Sequence, residues 1–485
     1  MMNKQILIHE KSRAGRIGTP MPEPSRSEQE LLNFIPRKYR RDVDAPMPEV
    51  TEGEVMRHYI GLSVKNHHID KGFYPLGSCT MKYNPKLNDR VASLPGFAEQ
   101  HPLAPYRTAA GSLQIMYELE GYLKEISGLD AVSLQPVAGA QGEFVGLLII
   151  RAYHKDKGNP RRKILIPDSA HGTNPASVSL AGYETVQIKS NDNGIISPEA
   201  VAAAIDNETA ALMLTNPNTL GLFESNIVEV ARIVHDAGAL LYMDGANLNA
   251  QLGIVQPGEI GFDILHFNLH KTFSTPHGGG GPGAGAIGVV KRLEPYLPVP
   301  VLSKKTGEDN RLFLDYDRPK SIGRVHSFYG NFANSIRAYA YIRTLGARGL
   351  REVSENAILN ANYLKELLKE HFEMPYDSIC QHEFVLSCSR QKKQGAKALD
   401  IAKRLLDFGF HAPTVYFPLI VSEAFMIEPT ETESRETLEA FAETLIAISA
   451  EVESDAEKLH HSPFTTPVRR LDEVKAAREL DIRYK

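Results

Sequence analysis

A chain of 485 residues with 42% hydrophobic and 23% charged residues exceeds the size at which one hydrophobic core stops growing, so two domains and an added arm are expected; this ordinary composition excludes a disordered or fibrous protein. The formal net charge of −5, with acids and bases interleaved, leaves no footprint for nucleic acid or an anionic membrane. Three cysteines, Cys79, Cys380 and Cys388, odd in number and without a CxxC spacing, support neither a disulfide framework nor a zinc site and suit a reducing compartment.

Near the N-terminus the apolar run Gln5-Ile6-Leu7-Ile8 is too short for a signal peptide, and no segment approaches the roughly 20 apolar residues of a membrane span. The expected location is cytoplasmic. Residues 1–70 mix Pro, Arg and Glu with little periodicity and read as an extended arm suited to packing on a partner subunit. Its basic cluster Arg37-Lys38-Tyr39-Arg40-Arg41 is flanked by acids and reads as a solvated or subunit-contacting surface rather than a nucleic-acid patch.

Residues 71–330 are expected to form a large α/β domain. Short apolar runs alternate with helical patterns: 163–168, 210–214, Leu240-Leu241-Tyr242-Met243-Asp244, and Asp263-Ile264-Leu265-His266-Phe267. That alternation predicts a mainly parallel sheet, with Ile227, Val230, Ala231 and Val234 spaced as the buried stripe of a crossover helix. Residues 331–485 read as a smaller α+β domain: a long helix over 337–370, a strand near 382–386, and helices near 397–409 and 435–460.

The chemistry concentrates at strand ends, where α/β proteins place their ligands. Asp244 closes one apolar strand, and Lys271, between His270 and Thr272, follows the next. A lysine that forms an imine must spend time unprotonated, and an acid facing the same pocket can keep a pyridine nitrogen charged; together they point to covalent pyridoxal 5'-phosphate on Lys271. Gly139, Ala140 and Gln141 open a helix with small residues and free N–H groups, a seat for a phosphate. His171 is placed either to stack on the cofactor ring or to sit in the core. Asn216 could donate to a ring hydroxyl, with Thr215 and Thr219 as competitors. The glycine run at 277–285 lacks the Lys-Ser or Lys-Thr of a Walker loop and the helix of a dinucleotide fingerprint, and reads as a pocket wall or a structural turn.

Taken with Tyr74-Pro75-Leu76-Gly77-Ser78-Cys79-Thr80-Met81-Lys82-Tyr83-Asn84-Pro85, Asp244-Gly245-Ala246-Asn247 and Glu428-Pro429-Thr430-Glu431-Thr432-Glu433, these segments resemble the lysine-bearing half of the glycine dehydrogenase (decarboxylating) family, the P-protein of the glycine cleavage system. The resemblance implies a fold-type-I, aspartate-aminotransferase-like enzyme. It implies glycine as substrate, release of CO2, and transfer of the aminomethyl group to the lipoyl arm of an H-protein. It also implies a partner, P-protein subunit 1, in a heterotetramer of two copies of each subunit, working with the remaining glycine cleavage proteins. On the same basis Lys271 and His270 are the catalytic candidates, while Asp244, His171, Gly139, Ala140, Gln141, Ala246 and Asn216 join Lys271 around the cofactor; no metal is expected. His270 would either shuttle protons or orient Lys271. Arg324, Arg469 and Arg470 remain alternatives for the substrate carboxylate, and Cys79 is given no role.

Overall fold

The computed structural model describes residues 6–101, 104–277, 283–305 and 311–482. The chain divides into two compact units, one reaching to His68 and including Pro467–Arg469, the other formed by Ile69–Thr466 with the segment from Arg470 onward.

The first unit is not uniformly extended. Helices Glu28–Asn33 and Glu52–Ser63 interrupt it, and each opens on a capping box. The Ser27 and Thr51 hydroxyls accept the N–H groups of Glu30 and Glu54, whose carboxylates accept the N–H groups of Ser27 at 2.8 Å and Thr51 at 2.9 Å. The Ser-x-x-Glu and Thr-x-x-Glu spacings carry that signal in the sequence, where a search for apolar periodicity passes over them. The basic cluster forms one exposed turn, with Arg37 paired to Asp42 at 2.7 Å.

The second unit is built on a seven-stranded sheet of β1 (Ala131–Ser133), β2 (Lys163–Pro167), β3 (Glu184–Ile188), β4 (Thr209–Thr215), β5 (Leu240–Gly245), β6 (Ile264–Asn268) and β7 (Gly285–Val289). Its order is β1-β7-β6-β5-β4-β2-β3, and only β7 runs against its neighbours. Strands β4, β5 and β6 are buried at every position, the near-continuous apolar run of a parallel sheet covered on both faces. Alternate residues serve opposite layers: Leu212, Leu214, Leu241, Met243 and Leu265 pack with α1 (Ala110–Ser127) on one face. Ala211, Met213, Leu240, Tyr242 and Ile264 pack with α2 (Gly139–Asp156) and Val178 of α3 (Thr173–Leu180) on the other. The crossover helix α4 (Ile227–Asp236) buries the four residues that its sequence spacing marks.

Beyond the sheet come a hairpin of β8 (Val301–Lys304) and β9 (Leu312–Asp315), and then α5 (Phe332–Leu368), a helical run broken at Gly346, whose φ is +63°. Its first part and the turn after the break pack on the large sheet through Tyr341, Ile342, Leu350 and Val353. Its last turns supply Ala361, Leu364 and Leu368 to a second core. That core lies against the three-stranded sheet β10 (Phe384–Ser387), β11 (Thr414–Val415) and β12 (Ala424–Ile427), order β10-β12-β11, with α6 (Ala398–Asp407) and α7 (Arg435–His460). Leu76 bridges to Ile427, and the segment 74–85 runs on from the small sheet to the turn that follows β6, where Ser274 Oγ donates to Tyr83 O at 2.5 Å. Among the described residues no helix is long and apolar enough to cross a membrane.

Candidate active site

The carboxyl ends of β5 and β6 open on a cavity of about 280 Å³. Asp244 reaches it from β5, while His266 and Asn268, alternate residues of one strand face, reach it from β6. The chain then makes a single helical turn, Leu269–Thr272, which presents His270 and Lys271 to the same space. From the opposite wall comes the N-terminus of α2, where Gly139 is the first helical residue and no side chain caps the free N–H groups. A Cβ at Gly139 would lie 1.7 Å from Asn268 Oδ1, so only glycine lets the helix start approach the end of β6 this closely.

Asp244 is buried and fully coordinated. Its Oδ2 accepts from Asn174 Nδ2 at 3.0 Å; its Oδ1 accepts from Ala246 N at 2.9 Å and lies 3.2 Å from His266 Nε2. Tyr242 Oη, 2.7 Å from His266 Nδ1, fixes that ring from behind. Burial opposes ionisation of Asp244, but the interactions with His266, Asn174 and Lys271 outweigh it and hold the carboxyl well below its ordinary range. Glu143, hydrogen-bonded by Thr173 Oγ1 at 3.2 Å, goes the other way: burial and the neighbouring Asp244 charge both push it up. One ionised and one neutral-tending carboxyl therefore share the wall.

Lys271 Nζ donates to the Ser78 carbonyl oxygen at 2.6 Å. Ser78 and Thr80 hold positive φ values of 61° and 45° without being glycine, a strained turn that its surroundings must enforce. His270 has Nδ1 2.8 Å from Ala284 O, and burial, with Lys271 beside it, lowers its pKa to about 4. His171 stands 2.9 Å by Nδ1 from Thr173 Oγ1, edge-on to Phe417 with ring centroids 5.5 Å apart, and burial lowers its pKa. Lys82, a buried lysine nearby, is committed elsewhere: its Nζ donates to Glu431 at 2.7 Å, Asn249 at 2.8 Å and Tyr341 at 3.1 Å.

Of the residues singled out in the sequence, Lys271, His270, Asp244, His171, Gly139, Ala140 and Ala246 line this one cavity. Gln141 and Asn216 are not among its lining residues. The Gln141 side chain instead joins two loops, accepting from Val137 N at 2.8 Å and donating to Val325 O at 2.9 Å. Asn216 is buried, with Oδ1 accepting from Glu224 N at 3.1 Å and Nδ2 unpartnered. Arg324 is exposed and lies over the Tyr316 ring at 5.5 Å, and Arg470 is tied to Asp400 at 2.7 Å; Arg469 belongs to the first unit. Of the glycine run, residues 278–282 lie outside the described residues, while Gly283 lines the cavity. Cys79 also lines it, its thiol pushed up by burial. Sequence reasoning passes over Glu143, Thr173 and His266; the alternation of His266 with Asn268 on β6, beside Asp244 on β5, is the signal for one of them.

Residues 353–465 match the family described as glycine dehydrogenase, C-terminal domain, and residues 146–287 match aminotransferase class-V. The chain is 58% identical over 481 residues to the "probable glycine dehydrogenase (decarboxylating) subunit 2" of Bacillus velezensis, covering 99% of this chain and 97% of that one. It is also 58% identical over 479 residues to the protein of the same description from Caldanaerobacter subterraneus subsp. tengcongensis, covering 99% and 98%. In fold it is similar to an inhibitor-bound glycine decarboxylase (P-protein) of the glycine cleavage system, with TM-score 0.73 and 22% identity over 87% of this chain and 95% of that one. The glutamate decarboxylase of Lactobacillus brevis shares the fold at TM-score 0.65 and 13% identity, over 88% and 97%. With that identity sustained along nearly its whole length, the chain belongs to the glycine dehydrogenase (decarboxylating) subunit 2 family.

Proposed function

We propose that this chain is the lysine-bearing subunit of a glycine decarboxylase: it binds pyridoxal phosphate, releases the glycine carboxyl as CO2, and passes the aminomethyl group to the lipoyl arm of an H-protein. The observation that carries the reading is the convergence of Lys271, ionised Asp244 and the uncapped start of α2 on one cavity. The residues fit the cofactor. Asp244 offers a buried negative charge to a ring nitrogen, Gly139 and Ala140 leave N–H groups and space for a phosphate, and Lys271 supplies the amine for covalent attachment. His171, on the same wall, is the candidate for the ring face. Bound there, pyridoxal phosphate supplies an electron sink for the pair left behind as the carboxylate departs.

The protein's own contribution is positional and electrostatic. Asp244 stays ionised because His266, Asn174 and Ala246 N hold both of its oxygens, so it stabilises positive charge opposite without reorganising. Lys271 is held by Ser78 O at the mouth of the turn and can return to that acceptor whenever it is released. His270, neutral and turned to the Ala284 backbone, suits a role in orienting Lys271 better than that of an acid at neutral pH. Residues 71–330 are assigned to the cofactor-binding domain and 331–485 to the domain that closes on it, with 1–70 as an arm for a partner.

That partner is P-protein subunit 1, two copies of each forming the enzyme, which works with the lipoylated H-protein and the remaining glycine cleavage proteins in the cytoplasm. The three cysteines, all free thiols, are in keeping with that compartment. The test is exchange of labelled bicarbonate into the glycine carboxyl by the chain combined with subunit 1 and lipoylated H-protein. Exchange that requires both Lys271 and the lipoyl protein is expected; absence of exchange from the assembled complex rejects the assignment.

A further inference from the structure

Next to the Lys271 turn lies a group of ionisable side chains that the reaction above does not use. Glu383 precedes β10 and Glu428 follows β12. Because Phe384 pairs with Ile427 in that antiparallel register, the two glutamates fall opposite one another, an arrangement that repels when both are charged. Both are completely buried. Glu383 accepts from Ser78 N at 2.6 Å and from Asn247 Nδ2 at 3.2 Å. Glu428 accepts from Thr80 N at 2.8 Å and from Thr80 Oγ1 at 2.6 Å. Two carboxyls thus grip the two strained residues of the turn whose carbonyl receives Lys271 Nζ.

The surrounding groups leave this pair short of positive charge. His382 lies 3.9 Å from Glu383 and 3.8 Å from Glu428, but neither of its ring nitrogens has a hydrogen-bond partner, and burial lowers its pKa to about 3, so it is neutral. Lys82 faces Glu428 but is already paired with Glu431. Cys79, between the gripped residues, has a thiol that burial pushes up, and it adds no charge. Lys271 is the remaining cation among the groups acting on both carboxyls.

We propose that Glu383 and Glu428 form a charge-compensating pair for Lys271: Glu383 stays protonated, while Glu428 is ionised when Lys271 is an ammonium and takes up one proton when Lys271 becomes neutral, the Ser78–Thr80 turn staying anchored throughout. The proposal rests on the reading of Lys271 as the cofactor lysine. Burial raises Glu383 well above the carboxylate range, with Glu428 adding to the effect, and burial lifts Glu428 to about 7 against the lowering influence of Thr80. Protonation of one of them near neutrality is therefore cheap, and the net charge of the buried group need not change as Lys271 cycles. Glu383 and Glu428 are not among the residues lining the cavity and are positioning residues.

Glu428→Gln separates charge from anchoring. Its amide oxygen can accept from Thr80 N and its NH2 can donate to Thr80 Oγ1, so the turn stays held while one carboxyl is lost; Glu428→Asp keeps the charge and shortens the reach. The probe is acetic anhydride at neutral pH on the cofactor-free full chain, with acylation of Lys271 read by peptide mass spectrometry against surface lysines. Glu428→Gln is expected to acylate Lys271 about tenfold faster than the parent, as removal of an adjacent carboxylate frees the amine, and Glu428→Asp to stay within about twofold. With pyridoxal phosphate added, the pH dependence of the bound chromophore's absorption should shift in the Gln variant alone. If the Gln variant labels at the parent rate, or if Gln and Asp change it alike, the compensation idea is overturned and only an anchor remains. Glu383→Gln replaces a protonated carboxyl by a neutral amide and should label Lys271 within about twofold of the parent; a tenfold change there overturns the assignment of the compensating charge to Glu428, whether or not Glu428→Gln folds. Protection of parent Lys271 by pyridoxal phosphate separately tests the cofactor reading: its absence would reject that reading whatever the glutamate variants do.

Discussion

Replacing Asp244 with Asn tests the electrostatic core of the site without disturbing its packing. The carboxylate now satisfies three donors: Asn174 Nδ2, Ala246 N and His266 Nε2. In Asp244→Asn the new amide keeps its oxygen for Ala246 and His266 and presents NH2 to Asn174. Asn174 Oδ1 has no partner at present, so a flip of that amide restores the hydrogen bond, and the stability change should stay within about 1 kcal/mol. What disappears is the buried negative charge that the proposed function sets against the cofactor's ring nitrogen. A charge-assisted hydrogen bond contributes roughly 1.5–3 kcal/mol, and at about 1.4 kcal/mol per tenfold the exchange of bicarbonate with the glycine carboxyl should fall roughly 10- to 150-fold. The assay is that exchange in complex with subunit 1 and lipoylated H-protein, with cofactor content and melting temperature measured on the same preparation. A variant that folds, holds its cofactor and exchanges within about twofold of the parent would show that Asp244 carries no such load.

Other variants probe the scaffold. Gly139→Ala puts a Cβ 1.7 Å from Asn268 Oδ1; the Asn268 amide or the start of α2 must shift within the cavity wall, and pyridoxal phosphate affinity, followed by fluorescence or absorbance titration, should weaken about tenfold or more for roughly 1–3 kcal/mol of overpacking. Gly146→Ala places a Cβ 2.2 Å from Tyr242 Cε2 between α2 and β5, and denaturant melts should show a loss of about 1–3 kcal/mol. Glu120, fully buried with Tyr329 Oη donating to it at 2.7 Å, is raised to about 8 by burial. A folded-state value above the unfolded one means its contribution is complete below about pH 4.5 and is lost as pH rises toward 8, a swing on the order of 5 kcal/mol. Glu120→Gln should flatten that part of the stability profile, and an unchanged profile would count against the protonated carboxyl. His270, lowered to about 4, should give no inflection in the rate profile between about pH 6 and 8, so His270→Gln should alter the rate but not the shape of that profile.

What is legible in the sequence follows from how local each signal is. Strands β4, β5 and β6 announce themselves as apolar runs, Asp244 lies at the end of β5 and Lys271 just beyond β6, so the end of the sheet at which they meet follows from the parallel order alone. The stripe of α4 and the helices at 398–407 and 435–460 are likewise carried by spacing within a single element. The helices of the first unit escape a search for apolar faces because their signal lies in caps: the first buries no residue and the second only His58. For Gln141 and Asn216 the sequence does not carry the direction of the side chain: Gln141, in the first turn of α2, bonds Val137 and Val325 with its amide, which leaves the phosphate reading to its backbone N–H, and Asn216 Oδ1 accepts from Glu224 N.

Glu383 and Glu428 lie beyond the reach of sequence for a different reason. Their hydrogen bonds to Ser78 and Thr80 join residues 305 and 348 positions apart, and their approach to each other depends on the register of two short strands, which alternation within either strand cannot supply. In sequence, Glu428 opens one of the segments that carry the family resemblance and Glu383 sits in a strand-like run, and neither position signals a buried partner. Only the pairing of Phe384 with Ile427 turns them into a buried pair, and only the return of segment 74–85 sets the Lys271 acceptor on top of it. Lys271 is therefore placed by local sequence, whereas Glu383 and Glu428 are placed by the small sheet. A change in strand register there would move the two carboxyls away from the Ser78–Thr80 turn, and hence from Lys271, without altering any residue of the cavity wall.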